Sequence, residues 1–189
     1  MAKISICIPS RQNEHQYLTL RSLAKQTFQD FEIIICTDTD SKGANFARNE
    51  AVKLAKCKFI LFSDNDINWS ETALETLYRG IFNFDVCYGY FKHGDKICGR
   101  NRYDENLLMQ KNFITMNSLV RRSSLLELDE NLQRHQDWDL WLRMTQKKCR
   151  FNFIDKCLFT TPIRDGISYN GKMSFNDSVN IIKQKHNLK

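Results

Sequence analysis

GANFARNEAVKLAKCKFILFSDND, residues 43–66, holds the transition on which the fold turns. Ala47, Ala51, Leu54 and Ala55 recur at the spacing of one helix face. KFILF follows as an evenly apolar strand of the kind covered on both sides of a sheet. The strand then stops on two carboxylates, Asp64 and Asp66, with Asn65 between them. A chain seeking only to fold has little reason to end a buried strand this way.

The same rhythm extends upstream. Ile4, Ile6 and Ile8 read as a strand ended by Pro9, Tyr17, Leu20, Leu23 and Ala24 as a helix face, and FEIIIC as a second buried strand. The first third is therefore βαβ in character. Downstream, Leu74, Leu77, Tyr78 and Ile81 predict a third helix starting near Ser70, with Ser70 as its N-cap. VCYGYF, KICGR and FITMNSLV read as strands, and LQRHQDWDLWLRM leads into a helix with Trp138, Trp141, Leu142 and Thr145 on one face. From Ser174 a last helix is expected, with Phe175, Val179, Ile182 and His186 on one side and Lys183, Lys185 and Lys189 toward solvent.

Composition bounds the answer. A chain of 189 residues with 42% hydrophobic content buries one substantial core, which predicts a single domain. Its longest apolar runs are far short of the roughly 20 residues of a spanning helix. Pro9, Ser10 and Arg11 interrupt the N-terminus before a signal-like run develops, so a cytoplasmic location is expected. Seven scattered cysteines, far from the four histidines at ligand spacing, read as buried thiols and argue against a zinc site. The net charge of +6 favours an anionic partner. No recognisable nucleic-acid module accompanies it, so nucleic acid is not expected as a partner.

In a doubly wound sheet, ligands bind beyond the carboxyl ends of the strands. Three such loops, PSRQNE, TDTDSKG and SDNDINW, bring Asp38, Asp40, Asp64 and Asp66 toward one rim. Asp-Asn-Asp suits a hard divalent ion held by carboxylates and substrate phosphates, and it equally suits a turn that caps the next helix. Asp137 reads as an N-cap just before the Trp138–Met144 helix; beside two tryptophans its pKa would also rise toward that of a general base. Arg48 is a solvated helix residue or reaches the rim to meet a phosphate or base, and Arg11 stacks on a base or hangs from its loop. The chain has no GxxxxGK[ST], GxGxxG or GxSxG motif, which removes support for P-loop hydrolysis, dinucleotide binding and hydrolase triads.

Taken in order, ISICIPS, LRSLAKQTFQDFEIIICTD, GANFARNEAVKLAKCKFILFSDND and DENLQRHQDWDLWLRM resemble the GT-A glycosyltransferases of family 2, the large inverting group that uses nucleotide-diphosphate sugars. The resemblance spans residues 3 to 168. It implies an α/β GT-A fold, Rossmann-like, with a mostly parallel central sheet and a smaller antiparallel part. The expected division is a nucleotide-binding half over 1–68, an acceptor half over 69–170 and a helical tail over 171–189.

It also implies roles. Asp66, helped by Asp64, places Mn²⁺ or Mg²⁺ on the donor diphosphate. Pro9, Ser10, Arg11, Asp38, Arg48, Asp64 and Asn65 line the nucleotide-sugar site, Asp38 against the base. Asp137 is the catalytic base and Trp138 an acceptor contact. Three departures stand out: Arg11 where relatives often have Tyr, Thr37 before Asp38 where they often have paired aspartates, and Gln136 in place of the usual Glu. Arg164 falls near a position where relatives often carry a histidine, which implies phosphate contact and modest metal dependence.

The function expected from this is sugar transfer from a nucleotide-diphosphate donor, with UDP as the nucleotide, to a glycan or lipid-linked acceptor in polysaccharide biosynthesis. The basic balance is compatible with peripheral association with the inner face of the membrane, and the shortness of the chain relative to many family members with acceptor binding supplied elsewhere or by a homo-oligomer. Gln136 and that shortness also motivate a second reading, a sugar-nucleotide binding module without turnover. A metal-dependent nucleotidyltransferase is a third.

Overall fold

The computed structural model describes residues 2–11, 17–162 and 174–188. One sheet of eight strands runs through the molecule in the order β2-β1-β3-β7-β5-β8-β4, with β6 paired to β5. β1 (Ile4–Arg11), β2 (Phe31–Asp38) and β3 (Phe59–Phe62) are the three apolar runs of the first third, and β1 is parallel to both neighbours. α1 (Tyr17–Leu23) and α2 (Ala44–Leu54) connect them, as the two helical spacings predict. Both sheet faces are covered: Ile4, Ile6 and Ile8 pack with α1 and with α3 (Ala73–Gly80), whereas Cys7, Ile60 and Phe62 pack with Ala51 of α2 and with α5 (Gln136–Gln146).

The second half adds β4 (Asn68–Trp69), β5 (Val86–His93), β6 (Lys96–Cys98), α4 (Glu105–Gln110), β7 (Leu119–Arg121), β8 (Phe151–Thr161) and α6 (Phe175–Lys185). β7 is antiparallel to β3 and β5, while β5 and β8 pair in parallel over their length. The sheet is thus continuous across both halves, its longest pairings parallel and its antiparallel part confined to short strands.

Several local expectations need correction. FITMNSLV is not a strand: only Leu119 and Val120 join β7, and the polar groups before them are used elsewhere, with Ser118 N–H on the Met116 carbonyl and Ser118 Oγ on that of Thr115. α3 starts at Ala73 with Thr72 as its N-cap, and the Ser70 carbonyl accepts Ala73 N–H and the Gln26 amide. Tyr17 and Leu54, expected on buried helix faces, are 70% and 63% exposed. α6 begins as expected, Ser174 accepting Asp177 N–H, but Lys185 is not a solvated lysine because it pairs with Asp129 and Asp139. All seven cysteines are free; Cys7, Cys57 and Cys87 are buried, and the other four are partly exposed.

Candidate active site

Strand register places the ends of β1, β2 and β3 on one rim. Arg11 lies opposite Asp38 at the ends of β1 and β2, and Cys7 lies opposite Phe62, two residues short of Asp64. Pro9 is half-buried and Ser10 buried, with Ser10 Oγ donating to the Arg11 carbonyl at 3.1 Å; Arg11 is exposed. Asp38 is 8% exposed and turned onto its own loop, its two oxygens accepting Lys42 N–H at 2.9 Å and Gly43 N–H at 2.6 Å. Gly43 takes φ 109°, which only glycine adopts readily, so the loop can turn into α2. Asp40 stands outside, paired with Lys42 at 3.1 Å.

Arg48 reaches the rim instead of solvent. It is 6% exposed, donating through Nη2 to Asp64 Oδ1 at 2.8 Å and through Nη1 to Gln136 Oε1 at 3.0 Å and Asn45 Oδ1 at 3.3 Å. One planar guanidinium therefore spans from the end of β3 to the start of α5, a geometry that Lys cannot reproduce. Gln136 also donates to the Leu132 carbonyl at 2.8 Å. With Gln at 136, Asp64 is the carboxylate that pairs with Arg48.

The acidic turn is held from two sides that its sequence does not advertise. Thr19 Oγ1 donates toward the carbonyls of Asp64 and Ile67, at 2.9 and 3.0 Å, and accepts Ile67 N–H at 3.1 Å. Asn117 accepts Asp64 N–H at 2.8 Å and donates to Asp64 Oδ2 at 3.0 Å. Both oxygens of Asp64 are thereby engaged, while Asn65 and Asp66 sit half-buried on the same turn.

Asp137 sits in the first turn of α5 and is not its N-cap. That position belongs to His135, whose left-handed backbone (φ 54°, ψ 31°) turns the chain into the helix without a side-chain cap. Asp137 Oδ1 accepts Trp138 N–H at 2.9 Å. Burial pushes its carboxyl above the usual range; the Trp138 N–H, the Asn112 amide and the charges of His135 and Arg48 oppose this without cancelling it. The His135 imidazole is itself pushed down by burial, against the pull of Asp137.

Trp138 is not placed to contact an acceptor. It is 2% exposed and its indole N–H donates to the Leu108 carbonyl at 2.7 Å, so it is a core anchor. Trp141 does the same to Ile114 at 2.8 Å. Arg164 lies outside the described residues.

The rim carboxylates suit a hard cation in ligand type. Among the described residues no three acidic, histidine or cysteine side chains converge to hold a metal. Such a rim fits an ion that takes one or two carboxylates and completes its shell with ligand phosphates.

No protein-family model matches the chain. Among curated proteins it is 29% identical to the Escherichia coli UDP-Glc:alpha-D-GlcNAc-diphosphoundecaprenol beta-1,3-glucosyltransferase WfgD, over 46% of this chain and 44% of that one. It is 33% identical to WfaP, an E. coli protein of the same description, over 39% of each chain. The glycosyltransferase MJ1057 of Methanocaldococcus jannaschii is 22% identical over 86% of this chain and 72% of its own. The chain thus spans less than half the length of the two E. coli relatives. Among solved structures, Staphylococcus aureus TarS in complex with UDP-GlcNAc matches with a TM-score of 0.74 at 19% identity, covering 97% of this chain and 66% of that one. Glucosyl-3-phosphoglycerate synthase from Mycobacterium tuberculosis, with Mn²⁺, UDP and phosphoglyceric acid, matches at 0.70 and 10% identity, covering 100% and 80%. By fold the chain is a GT-A protein, and by sequence it is a relative of glycosyltransferases.

Proposed function

We propose that the rim binds a UDP-sugar and transfers the sugar, with inversion, to a hydroxyl of a glycan or lipid-linked acceptor. The observation that carries this is the bridge of Arg48 between Asp64 and Gln136, which ties the acidic turn to the helix start holding Asp137. Asp66, with Asp64, would hold Mn²⁺ or Mg²⁺, which supplies charge neutralisation for a departing diphosphate. Pro9, Ser10, Arg11, Asp38, Arg48 and Asn65 lie on the donor side of the rim. Asp137 is suited to take the acceptor's proton because burial raises its pKa, making it a stronger base than an exposed aspartate. The acceptor hydroxyl then forms the new bond to the anomeric carbon as the bond to the diphosphate oxygen breaks, and the electron pair leaves with the nucleoside diphosphate.

A donor half over 1–68 and an acceptor half over 69–170 accord with this division of labour. The relatives' names support a UDP-sugar donor and a diphosphoundecaprenol-linked acceptor. No helix among the described residues is long and apolar enough to cross a membrane; the lipid-linked acceptors in the relatives' names support contact with the membrane surface. Release of UDP from a panel of UDP-sugars with Mn²⁺ tests the proposal: slow release by the wild type, lost in Asp137→Asn, supports it. UDP-sugar binding without any release favours the non-catalytic module, and release of pyrophosphate favours a nucleotidyltransferase.

A further inference from the structure

Residues 111–118 form an irregular segment pinned between the two tryptophans and the sheet. Trp138 and Trp141 hold the carbonyls of Leu108 and Ile114, and Leu119 enters β7 beside β3. From this braced segment Asn117, 3% exposed, turns its amide onto Asp64. Its carbonyl oxygen accepts the Asp64 backbone N–H and its amide nitrogen donates to the Asp64 carboxylate. The same nitrogen lies 3.3 Å from Thr115 Oγ1, which fixes the amide plane. A buried amide satisfied at both ends is rigid, and one that reads backbone and side chain of a single residue leaves that residue little freedom to rotate.

We infer that Asn117 is a positioning residue for the metal-bearing face of the donor site, setting the orientation of the Asp64–Asp66 turn toward the diphosphate. The inference rests on the donor reading proposed above. The turn has two holders: Thr19 grips the carbonyls of Asp64 and Ile67, and Asn117 grips the N–H and carboxylate of Asp64. Without Asn117, Asp64 Oδ2 and the backbone N–H both lose their protein partners, and Arg48 alone orients the carboxylate. Binding sites of this kind need their ligating groups held to about half an ångström by surrounding bonds, and loss of such a supporting partner typically weakens metal affinity about 10–100-fold.

The test is calorimetric titration of UDP, with and without Mn²⁺, into the wild type, Asn117→Leu, Asn117→Ser and Thr19→Val, together with melting temperatures. The wild type should bind UDP more tightly with Mn²⁺. In both Asn117 variants that metal-dependent gain should shrink about tenfold or more, while affinity for UDP without metal stays within about twofold. Thr19→Val should reduce the gain in the same sense. A merely structural role would lower the melting temperature while leaving the metal-dependent gain intact, or weaken UDP equally with and without Mn²⁺, and either pattern overturns the inference. So does retention of the full gain in Asn117→Ser, should Asn117→Leu fail to fold. If the wild type binds no UDP under any condition, the donor reading falls and takes this inference with it; if the wild type alone behaves as expected, only the role of Asn117 is lost.

Discussion

Asp137 and Asp139 stand two residues apart in the first turn of α5, and the molecule treats them in opposite ways. Asp137 follows Gln136, which Arg48 ties to the acidic turn, accepts the N–H of Trp138, and is pushed upward by burial. Asp139 is fully buried at the seam with α6 and meets Arg143 Nη2 at 2.9 Å, Lys185 Nζ at 2.8 Å and His186 Nε2 at 2.9 Å. Burial works to raise the Asp139 carboxyl too, but the hydrogen bonds from Lys185 and His186 and the charges of Arg143 and Lys185 outweigh it and hold it below the usual range. Burial alone therefore does not decide what a carboxylate is for. A buried carboxylate surrounded by cations is fixed as an anion, whereas one left mainly with neutral donors is available for proton transfer.

The contrast can be broken most severely at Asp137. Asp137→Asn should reduce transfer or donor hydrolysis by about 10²–10⁴-fold, the usual contribution of a general base. The same change should raise the melting temperature near neutral pH. The folded-state pKa of Asp137 lies above its unfolded value, so its ionisation opposes folding as pH rises through that window, and Asn removes the penalty.

Asp139→Asn should do the reverse. Leaving three cationic or protonatable partners around a neutral amide is expected to destabilise by about 3 kcal/mol, the low end for a broken buried pair because Arg143 and Lys185 reach solvent. That corresponds to a loss of roughly 6–12 °C in melting temperature for a chain of this size. Here the sign is the ordinary one: the folded pKa is depressed, so the stabilisation is present above the unfolded value of about 3.9 and disappears as pH falls through the folded pKa. Acid unfolding of the wild type, followed by circular dichroism, should therefore be steeper below about pH 4 than that of Asp139→Asn.

Arg48→Gln sharpens the comparison between the two carboxylates. Removing the cation from the rim should shift the acid limb of the activity profile to higher pH, because the charge of Arg48 holds down the Asp137 pKa. It should also lower stability by roughly 1.5–3 kcal/mol through the lost charge-assisted bond to Asp64. Phe175→Ala is the smallest expected effect. The ring rests on His135 with centroids 4.9 Å apart, yet Phe175 is 61% exposed. A change of about 0.5 kcal/mol or less in the thermal melt, with no change in the pH profile, would show that the Phe175–His135 contact plays little part in holding α6.

Much of this arrangement could be read from the chain, and what could not has a common physical cause. The βαβ units were legible because Ile4, Ile6 and Ile8 and the FILF run carry strong periodic signals, and the rim carboxylates follow from where those strands end. The partners of those carboxylates were not legible. Asn117 lies 53 residues from Asp64, and Thr19 lies 45 from it, each a single polar residue with no pattern to betray a long-range bond. The resemblance makes Trp138 an acceptor contact, but nothing in the sequence shows that its indole N–H has a buried carbonyl, that of Leu108, to satisfy. The sequence leaves Arg48 open between solvent and rim, because helical spacing does not say which way a long side chain turns. FITMNSLV reads as a strand from its apolar content, but the amides and hydroxyls of Thr115, Asn117 and Ser118 are consumed by turns and by the acidic loop.

The measurement that tests the central claim most directly is the melting temperature of the wild type and Asp66→Ala with UDP, GDP, CDP and dTDP, each with and without Mn²⁺. A ligand at about 100 times its Kd stabilises the folded state by about 2.7 kcal/mol, or roughly 5–10 °C for a chain of this length. The account predicts such a rise for UDP with Mn²⁺ in the wild type and its loss in Asp66→Ala. The absence of a shift with every nucleotide, or an equal shift in the variant, would contradict it and leave Asp64 and Asp66 as residues that only end a strand.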